Sequence, residues 1–526
     1  MRIKEASDIY RGEELARPRD SRPIAALRPG IGRWFAPDLA LVASIAMVAL
    51  LFWGAAGATS LFRDSDTGWH IRNGERILST GLLPRVDPFS FSKAGTPWVA
   101  WEWGADVLMG ATHLAAGLGG VALLYGLVIG ASVWMWFRLN WAAGGNYFLA
   151  CLFAAPMVST TALHWLARPH LLSWLFLAST VWFCEKLPVK LTWKHFVVVA
   201  AVSAVWANVH ASFFFAPAIG VIYAAGAYLR PRIWEVQKGR WGAYMGLSLV
   251  ALAGTLVNPN GWALHRHVID YLLNSALLDR VAEFQSFNFH GQGAMQVVLA
   301  LAICFGGAFA SLAARRLDRF LLSILLLTLA LTSARALPVA ALLLLPLANG
   351  SITELLVHAK DLKPRVRRKL DDALDYGDRL RTIDSSLRGF ALIPVIALVF
   401  YMPLRLHAAF PANVFPVAAS ESIAALPTEA RVFAPDLFGG YLIYRFNGAR
   451  KVFFDGRSDF YGADFMKDYI RIVQVKPGWR KEFSRWHFTH ALLPADHSLI
   501  PALEAAGWTE LHRDKTAVLL TEEPGR

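Results

Sequence analysis

The sequence predicts an α-helical polytopic membrane protein with a small external α/β domain after its last span. Three observations carry that expectation. Of 526 residues, 55% are hydrophobic and only 17% charged, against about 25% charged in soluble globular proteins. The apolar residues fall into long blocks, and the stretch 39–59 contains no charge at all, which meets the requirement of about 20 apolar residues for a span. From about Leu406 onward the apolar runs shorten, as in KVFF at 451 and AVLL at 517, with helix-like stretches between them. Short buried strands alternating with helices are the pattern of an α/β fold. A soluble cytosolic enzyme, a disordered tail protein and a disulfide-built secreted scaffold are excluded.

Taken in order, residues 1–35, with Pro18, Pro23 and several arginines, read as a basic cytoplasmic tail. No cleavable leader is expected, because the first apolar block follows the tail and already has the length of a span. The blocks read as eleven spans, at about 38–58, 117–137, 146–163, 169–185, 195–212, 213–229, 242–257, 294–312, 320–334, 336–350 and 388–406. With the N-terminus inside, the inner segments carry 28 Lys and Arg, and the outer loops before the last span carry nine. That asymmetry obeys the positive-inside rule. The largest inner loop, 351–388, includes the basic run from Lys363 to Lys369, a topology signal and a contact for anionic membrane lipids. The transmembrane domain is therefore expected over 36–409, and an odd span count places 410–526 outside the cytoplasmic (inner) membrane. The net charge of +13 serves topology, so no nucleic-acid partner is expected. Cys151, Cys184 and Cys304 lie in or beside apolar blocks, without metal-ligand spacing or a disulfide framework.

Polar side chains collect on the outer face, and intramembrane polar groups are costly enough to be informative. The first outer loop, 61–106, holds Asp64, Asp66, His70, Glu102 and Asp106, with five tryptophans and phenylalanines in its second half. Within it, Ile71–Leu78 reads as a helix lying in the membrane interface. Other outer ends offer His164, Arg168, His170, His210, His265, Glu283 and Arg335. Acids for proton removal beside cations for a leaving phosphate suit attack by a hydroxyl on a phosphate-bearing lipid. In the outer domain, Asp455, Arg457, Asp459 and Tyr461 follow an expected buried strand, where functional loops are common.

The loop after span one carries Asp64-Ser65-Asp66, then Trp69-His70-Ile71-Arg72, then Pro84-Arg85-Val86-Asp87-Pro88-Phe89-Ser90. In this pattern and in its whole layout the chain resembles the GT-C superfamily of polyprenyl-phosphate-sugar-dependent membrane glycosyltransferases. That group includes protein O-mannosyltransferases, aminoarabinose transferases and oligosaccharyltransferases. The tail motif FFDGRSDFYG, 453–462, resembles uncharacterised bacterial membrane proteins of the same layout. The resemblance implies a polyprenyl-phosphate-linked sugar donor and an external acceptor that is protein, glycan or lipid. It also implies an inverting transfer with Asp64 as general base, Asp66 beside it and Glu102 as a further acid. His70, His164, Arg168, His170, His210, His265, Glu283 and Arg335 are the expected substrate-binding set. An Asp-x-Asp pair near a histidine can also hold Mg²⁺ or Mn²⁺, and the sequence leaves the metal open.

Each residue has a plainer reading. Asp64 or Asp66 can cap the interfacial helix, and Glu102 and Asp106 can satisfy the start of the helix after Trp103. The histidines can be satisfied interfacial groups, Arg168 an anchor, and Asp455 and Arg457 a structural network in a turn. Arg335 stands alone in an apolar stretch and requires a partner. A transporter or flippase, or an inactive scaffold of the same fold, are the alternative functions. Against transport, the sequence shows no internal two-fold repeat.

Overall fold

The computed structural model describes residues 30–522 except 56, 292 and 360. The tail expected over 1–35 falls mostly outside the described residues. Each of the eleven apolar blocks is a helix. In chain order the helices are α1 (Leu39–Trp53), α2 (Asp66–Thr80), α3 (Trp103–Ala142), α4 (Tyr147–Thr161) and α5 (His170–Glu185). They continue with α6 (Trp193–Val209), α7 (Phe215–Ile233), α8 (Trp241–Thr255), α9 (Trp262–Leu273), α10 (Ser275–Leu278) and α11 (Ala294–Ala313). Next are α12 (Leu317–Thr332), α13 (Leu337–His358), α14 (Pro364–Ser386) and α15 (Ile393–His407). Seven of these, counted with their flanking turns, are long and apolar enough to cross a membrane among the described residues. The count of eleven crossings is not reached on length. α5, α6, α8 and α12 have 16, 17, 15 and 16 residues, about 25 Å of helix at 1.5 Å per residue against a hydrocarbon core of about 30 Å.

The two ends of the bundle differ in chemistry. At one end Glu185 of α5 accepts from Arg319 of α12 at 2.6 Å and from Tyr223 of α7 at 2.8 Å. Asn349 of α13 there donates to Asn140 of α3 at 2.8 Å. Every one of these side chains is matched, as burial requires, and the knot pins the helices together. At the other end the loops expected on the outer face converge on one cavity.

The expected interfacial helix is α2, and one of its faces packs against the rest of the protein. Gly68, Trp69, His70, Ile71, Asn73, Gly74 and Ile77 are buried within the protein. A side chain at Gly74 would overlap the Asp106 carbonyl of α3, and one at Gly68 would overlap the Gly440 carbonyl of the C-terminal region. The two glycines, six residues apart, let backbones approach closely from both sides. This is why one face of α2 is held inside the protein while Arg76 and Leu78 stay exposed.

After α15 the chain forms α16 (Ser420–Ala424), β1 (Val432–Phe433), α17 (Asp436–Arg445), α18 (Ser458–Val473), α19 (Trp479–Ser484), β2 (His490–Pro494), α20 (Leu499–Glu504), β3 (Trp508–Arg513) and β4 (Ala517–Glu522). The sheet order is β1-β2-β4-β3. β1 and β2 run parallel, with Val432 opposite His490, and the other pairs are antiparallel. Phe433, Phe453, Phe465, Phe483 and Phe488 form its core. α17 packs on α2, so this α/β unit is fastened to the first outer loop.

Candidate active site

The site begins where α1 ends. Asp64 Oδ1 accepts the Asp66 N–H at 2.9 Å and closes the entry to α2, while Ser65 makes no side-chain cap bond. Asp64 thus does the capping, and the Asp66 carboxylate turns toward Arg168. Arg168 stands in the tight loop between α4 and α5. That loop is tied down by the Ala167 N–H donating to Leu61 O at 2.8 Å, and by Thr67 Oγ1 donating to Ala167 O at 3.0 Å. Arg168 Nη1 lies 2.7 Å from Asp64 Oδ2 and 2.8 Å from Glu283 Oε1, and its Nη2 lies 2.8 Å from Asp66 Oδ2. Three carboxylates share one guanidinium. Glu283 also faces Arg335 Nη1 at 3.5 Å, which supplies the partner that Arg335 requires.

A second polar group centres on Glu102. It precedes α3 but makes no cap bond, so its plainer role is not used. Its carboxyl oxygens stand 3.8 Å from His70 Nε2 and 3.5 Å from His210 Nε2. Behind it, His70 Nδ1 meets Asp106 Oδ1 at 2.6 Å and Asn73 Nδ2 donates to Asp106 Oδ2 at 2.6 Å. Asp106 therefore holds His70 in place of capping α3.

Both groups border a cavity of about 1430 Å³. Asp64, Asp66, Glu102, His164, Arg168, His170, His210, Glu283 and Arg335 line it, as do Arg457 and Asp459 of the C-terminal unit. Leu177 of α5, Leu325, Leu326 and Leu329 of α12 and Val339 of α13 line it as well. Four expected residues are elsewhere. Successive residues on a helix point about 100° apart, so Trp69 faces the cavity while His70, 1% exposed, faces α3. His265 bonds Thr255 Oγ1 at 2.8 Å and stacks on Trp262. Asp455 and Tyr461 are buried beneath the wall, with Tyr461 OH donating to Asp455 Oδ2 at 3.0 Å.

Burial sets the protonation of the polar groups. It pushes Asp66 up to about 7, with Arg168 opposing and Asp64 adding to the rise. It pushes Glu102 up to about 7 and His70 down to about 3, leaving that ring neutral. Burial also pushes Glu283 up, but Arg168 and Arg335 outweigh it and hold Glu283 far below the usual carboxylate range. Among the described residues no three His, Cys, Asp or Glu side chains form a metal-ligand set. The three carboxylates surround the Arg168 guanidinium, and as arranged this donor set does not fit a metal ion.

Three solved structures share the architecture. The Archaeoglobus fulgidus oligosaccharyltransferase in its apo form superposes with a TM-score of 0.52 at 11% identity, covering 87% of this chain and 69% of that one. The same enzyme tethered through a disulfide to an acceptor peptide containing the NVT sequon gives the same figures. The archaeal oligosaccharyltransferase AglB in complex with an inhibitory peptide and a dolichol-phosphate gives 0.53 at 10% identity, with the same coverage. The chain has the GT-C fold. No protein-family model and no curated protein sequence matches it.

Within this GT-C fold the C-terminal unit forms part of the wall. Arg457 Nη2 lies 2.8 Å from Asp87 Oδ1 of the first outer loop and 2.7 Å from Asp455 Oδ2. The guanidinium also sits over Trp98, 4.6 Å from the ring centre. Asp459 Oδ2 lies 3.2 Å from His267 Nε2, and the Tyr271 and Ser458 hydroxyls are 3.0 Å apart. Gly456 and His267 had no signal in the chain order. Asn73 had one, since it lies one helical turn beyond His70. A Cβ at Gly456 would overlap Asp66 Oδ1. Gly456→Ala should therefore displace Asp66 and lower the activity of this site with little change in melting temperature. Unaltered activity would show that this close approach is dispensable.

The raised pKa of Asp66 gives a signed stability test. A carboxyl held above its unfolded value stabilises the fold below that value, and the stabilisation is lost as pH rises through the folded value. For Asp66 the window runs from 3.8 to about 7. Asp66→Asn should thus gain melting temperature relative to the parent as pH rises from about 5 to 8. A constant difference across that range would contradict the assignment.

Proposed function

We propose that this GT-C protein transfers a sugar from a polyprenyl-phosphate donor to an acceptor hydroxyl or amide on the outer side of the inner membrane, with inversion. The observation that carries the reading is one cavity lined both by leucines of α5 and α12 and by three carboxylates and two arginines. An amphiphile with a phosphate head fits such a space. Arg335, whose side chain is 29% exposed with Glu283 at 3.5 Å, receives the phosphate, a role for which a guanidinium is suited by its paired donors. Arg168 orders the acids and turns toward the phosphate as charge develops on the leaving oxygen.

Asp64 is the general base, the more accessible acid of the pair, at 21% side-chain exposure against 8% for Asp66. It takes the acceptor proton as the acceptor heteroatom bonds the anomeric carbon. The bond from that carbon to the phosphate oxygen breaks, and its electron pair leaves with the phosphate. Attack from the side opposite the phosphate inverts the centre. Asp66 orients the acceptor, which is a protein, a glycan or a lipid.

Native mass spectrometry of the purified protein with a polyprenyl phosphate, and with the matching polyprenol, tests the reading. The phosphate should be retained and the alcohol should not, and Arg335→Ala should remove the difference. Equal retention of both lipids would overturn it. The orientation has its own test. Single cysteines near Gly95 and Gly462 should label from outside intact cells, and one near Lys363 should not. Labelling of all three from one side would refute the topology.

A further inference from the structure

The proposed transfer chemistry leaves Glu102 without a task, although it borders the same cavity. Its two histidine neighbours are each held by hydrogen-bonded partners of their own. The Ser212 N–H donates to His210 Nδ1 at 3.2 Å, with Ser212 Oγ a further 2.8 Å neighbour of that nitrogen. Trp206 Nε1 donates to Ser212 Oγ at 3.1 Å, so the hydroxyl proton is directed at Nδ1 as well. His210 Nδ1 is thus an acceptor, and in the neutral ring the proton sits on Nε2, which faces Glu102 Oε1 at 3.5 Å. His70 Nδ1 is engaged by Asp106 at 2.6 Å, and Asp106 is held from the other side by Asn73, so His70 Nε2 is left to face Glu102 Oε2 at 3.8 Å.

Glu102 therefore sits between two imidazole Nε2 atoms whose other ring nitrogens are already engaged. A carboxyl group there accepts through its oxygens and, when neutral, also donates through one of them. Burial raises this carboxyl to about 7. Neither contact closes to hydrogen-bond length, and no shorter donor reaches the Glu102 oxygens among the described residues. Trp98 and Trp101 line the cavity beside it. A buried planar group with both donor and acceptor character, next to aromatic rings, has the chemistry of a pyranose subsite. Sugar hydroxyls both donate and accept, and the C–H face of the ring packs on an indole.

We propose that Glu102, with His210 and the Trp98–Trp101 wall, recognises the hydroxyls of a sugar ring. The assignment of that ring to the donor rests on the lipid-phosphate reading above. The ring of an acceptor glycan has the same chemistry, and the test separates the two sources.

The experiment compares affinities of the full chain in detergent for a bare polyprenyl phosphate and for a panel of hexosyl and hexosaminyl polyprenyl phosphates. At least one glycosylated lipid should bind about tenfold tighter than the bare lipid, the contribution of one or two added hydrogen bonds. Glu102→Ala should bring that ratio close to one without changing affinity for the bare lipid. Glu102→Gln, which keeps a donor and an acceptor, should retain most of it. Should the alanine variant fail to fold, Glu102→Leu, near in volume and suited to burial, takes its place. In a second arm, free oligosaccharides are titrated into the lipid-loaded protein. Loss of saccharide binding in the alanine or leucine variant, with the lipid ratio unchanged, assigns the subsite to the acceptor and also supports it. An unchanged ratio together with unchanged saccharide binding overturns the proposal. Absence of lipid-phosphate binding by the parent would instead sink the donor reading, and the saccharide arm would then decide the subsite alone.

Discussion

Asp64→Asn is expected to lower sugar transfer by about 10²–10⁴, the usual cost of losing a general base, while the protein stays folded and keeps its lipid phosphate. The substitution isolates charge from structure. Asparagine retains the Oδ1 that accepts the Asp66 N–H at 2.9 Å, so the entry to α2 is preserved. It loses the negative charge 2.7 Å from Arg168 Nη1 and with it the capacity to take a proton. Arg168 keeps Asp66 and Glu283, so the guanidinium remains paired. Transfer assayed at constant donor occupancy checks the expectation. Near-normal rates would move the base to Asp66, whose carboxyl already sits at about 7.

Arg168→Ala is expected to do more harm to the fold than any other single change in the cavity. It leaves Asp64, Asp66 and Glu283 facing one another without their shared cation. Breaking one buried ion pair by removing a partner costs about 3–5 kcal/mol, and here three carboxylates lose theirs together. Part of that cost is avoided by protonation, and most readily at Asp66. Arg168→Lys should be milder but still impaired, because one ammonium cannot place two forked donors against acids from two loops. Glu283→Gln in the alanine background should recover part of the melting temperature by removing one of the three crowded negative charges, although Arg335 still faces it at 3.5 Å. If Arg168→Ala melts like the parent, the three contacts carry no energy and the site is not organised by Arg168.

Much of the fold was legible because membrane helices are written as blocks of apolar residues. All eleven blocks are helices, and the loops assigned to one face do converge on one cavity. The limit was length, since a block of 15–17 helical residues reads as a span in hydropathy yet is short of the bilayer core. The packing of α2 was not legible: Arg72 Nε donates to the Tyr444 carbonyl at 2.9 Å, from α17, far along the chain. Such a partner has no local signal. The acids and arginines of the cavity were visible because charge beside apolar blocks is rare. Their grouping was not visible, since whether Glu283 meets Arg168 or Arg335 depends on loop geometry. His70 and Trp69 make the same point at closer range: adjacent in sequence, they face different spaces.

Release of bare lipid phosphate tests the central claim most directly, because that product is common to every acceptor. The purified chain would be reconstituted in vesicles with a panel of glycosylated polyprenyl phosphates and a crude outer-membrane or periplasmic acceptor fraction, and the bare lipid phosphate followed by mass spectrometry over time. The parent should release it from at least one donor in an acceptor-dependent manner, and Asp64→Asn should bind the same donor without releasing it. Binding of the donors with no release by the parent, or equal release by parent and Asp64→Asn, would contradict the assignment of this cavity to glycosyl transfer.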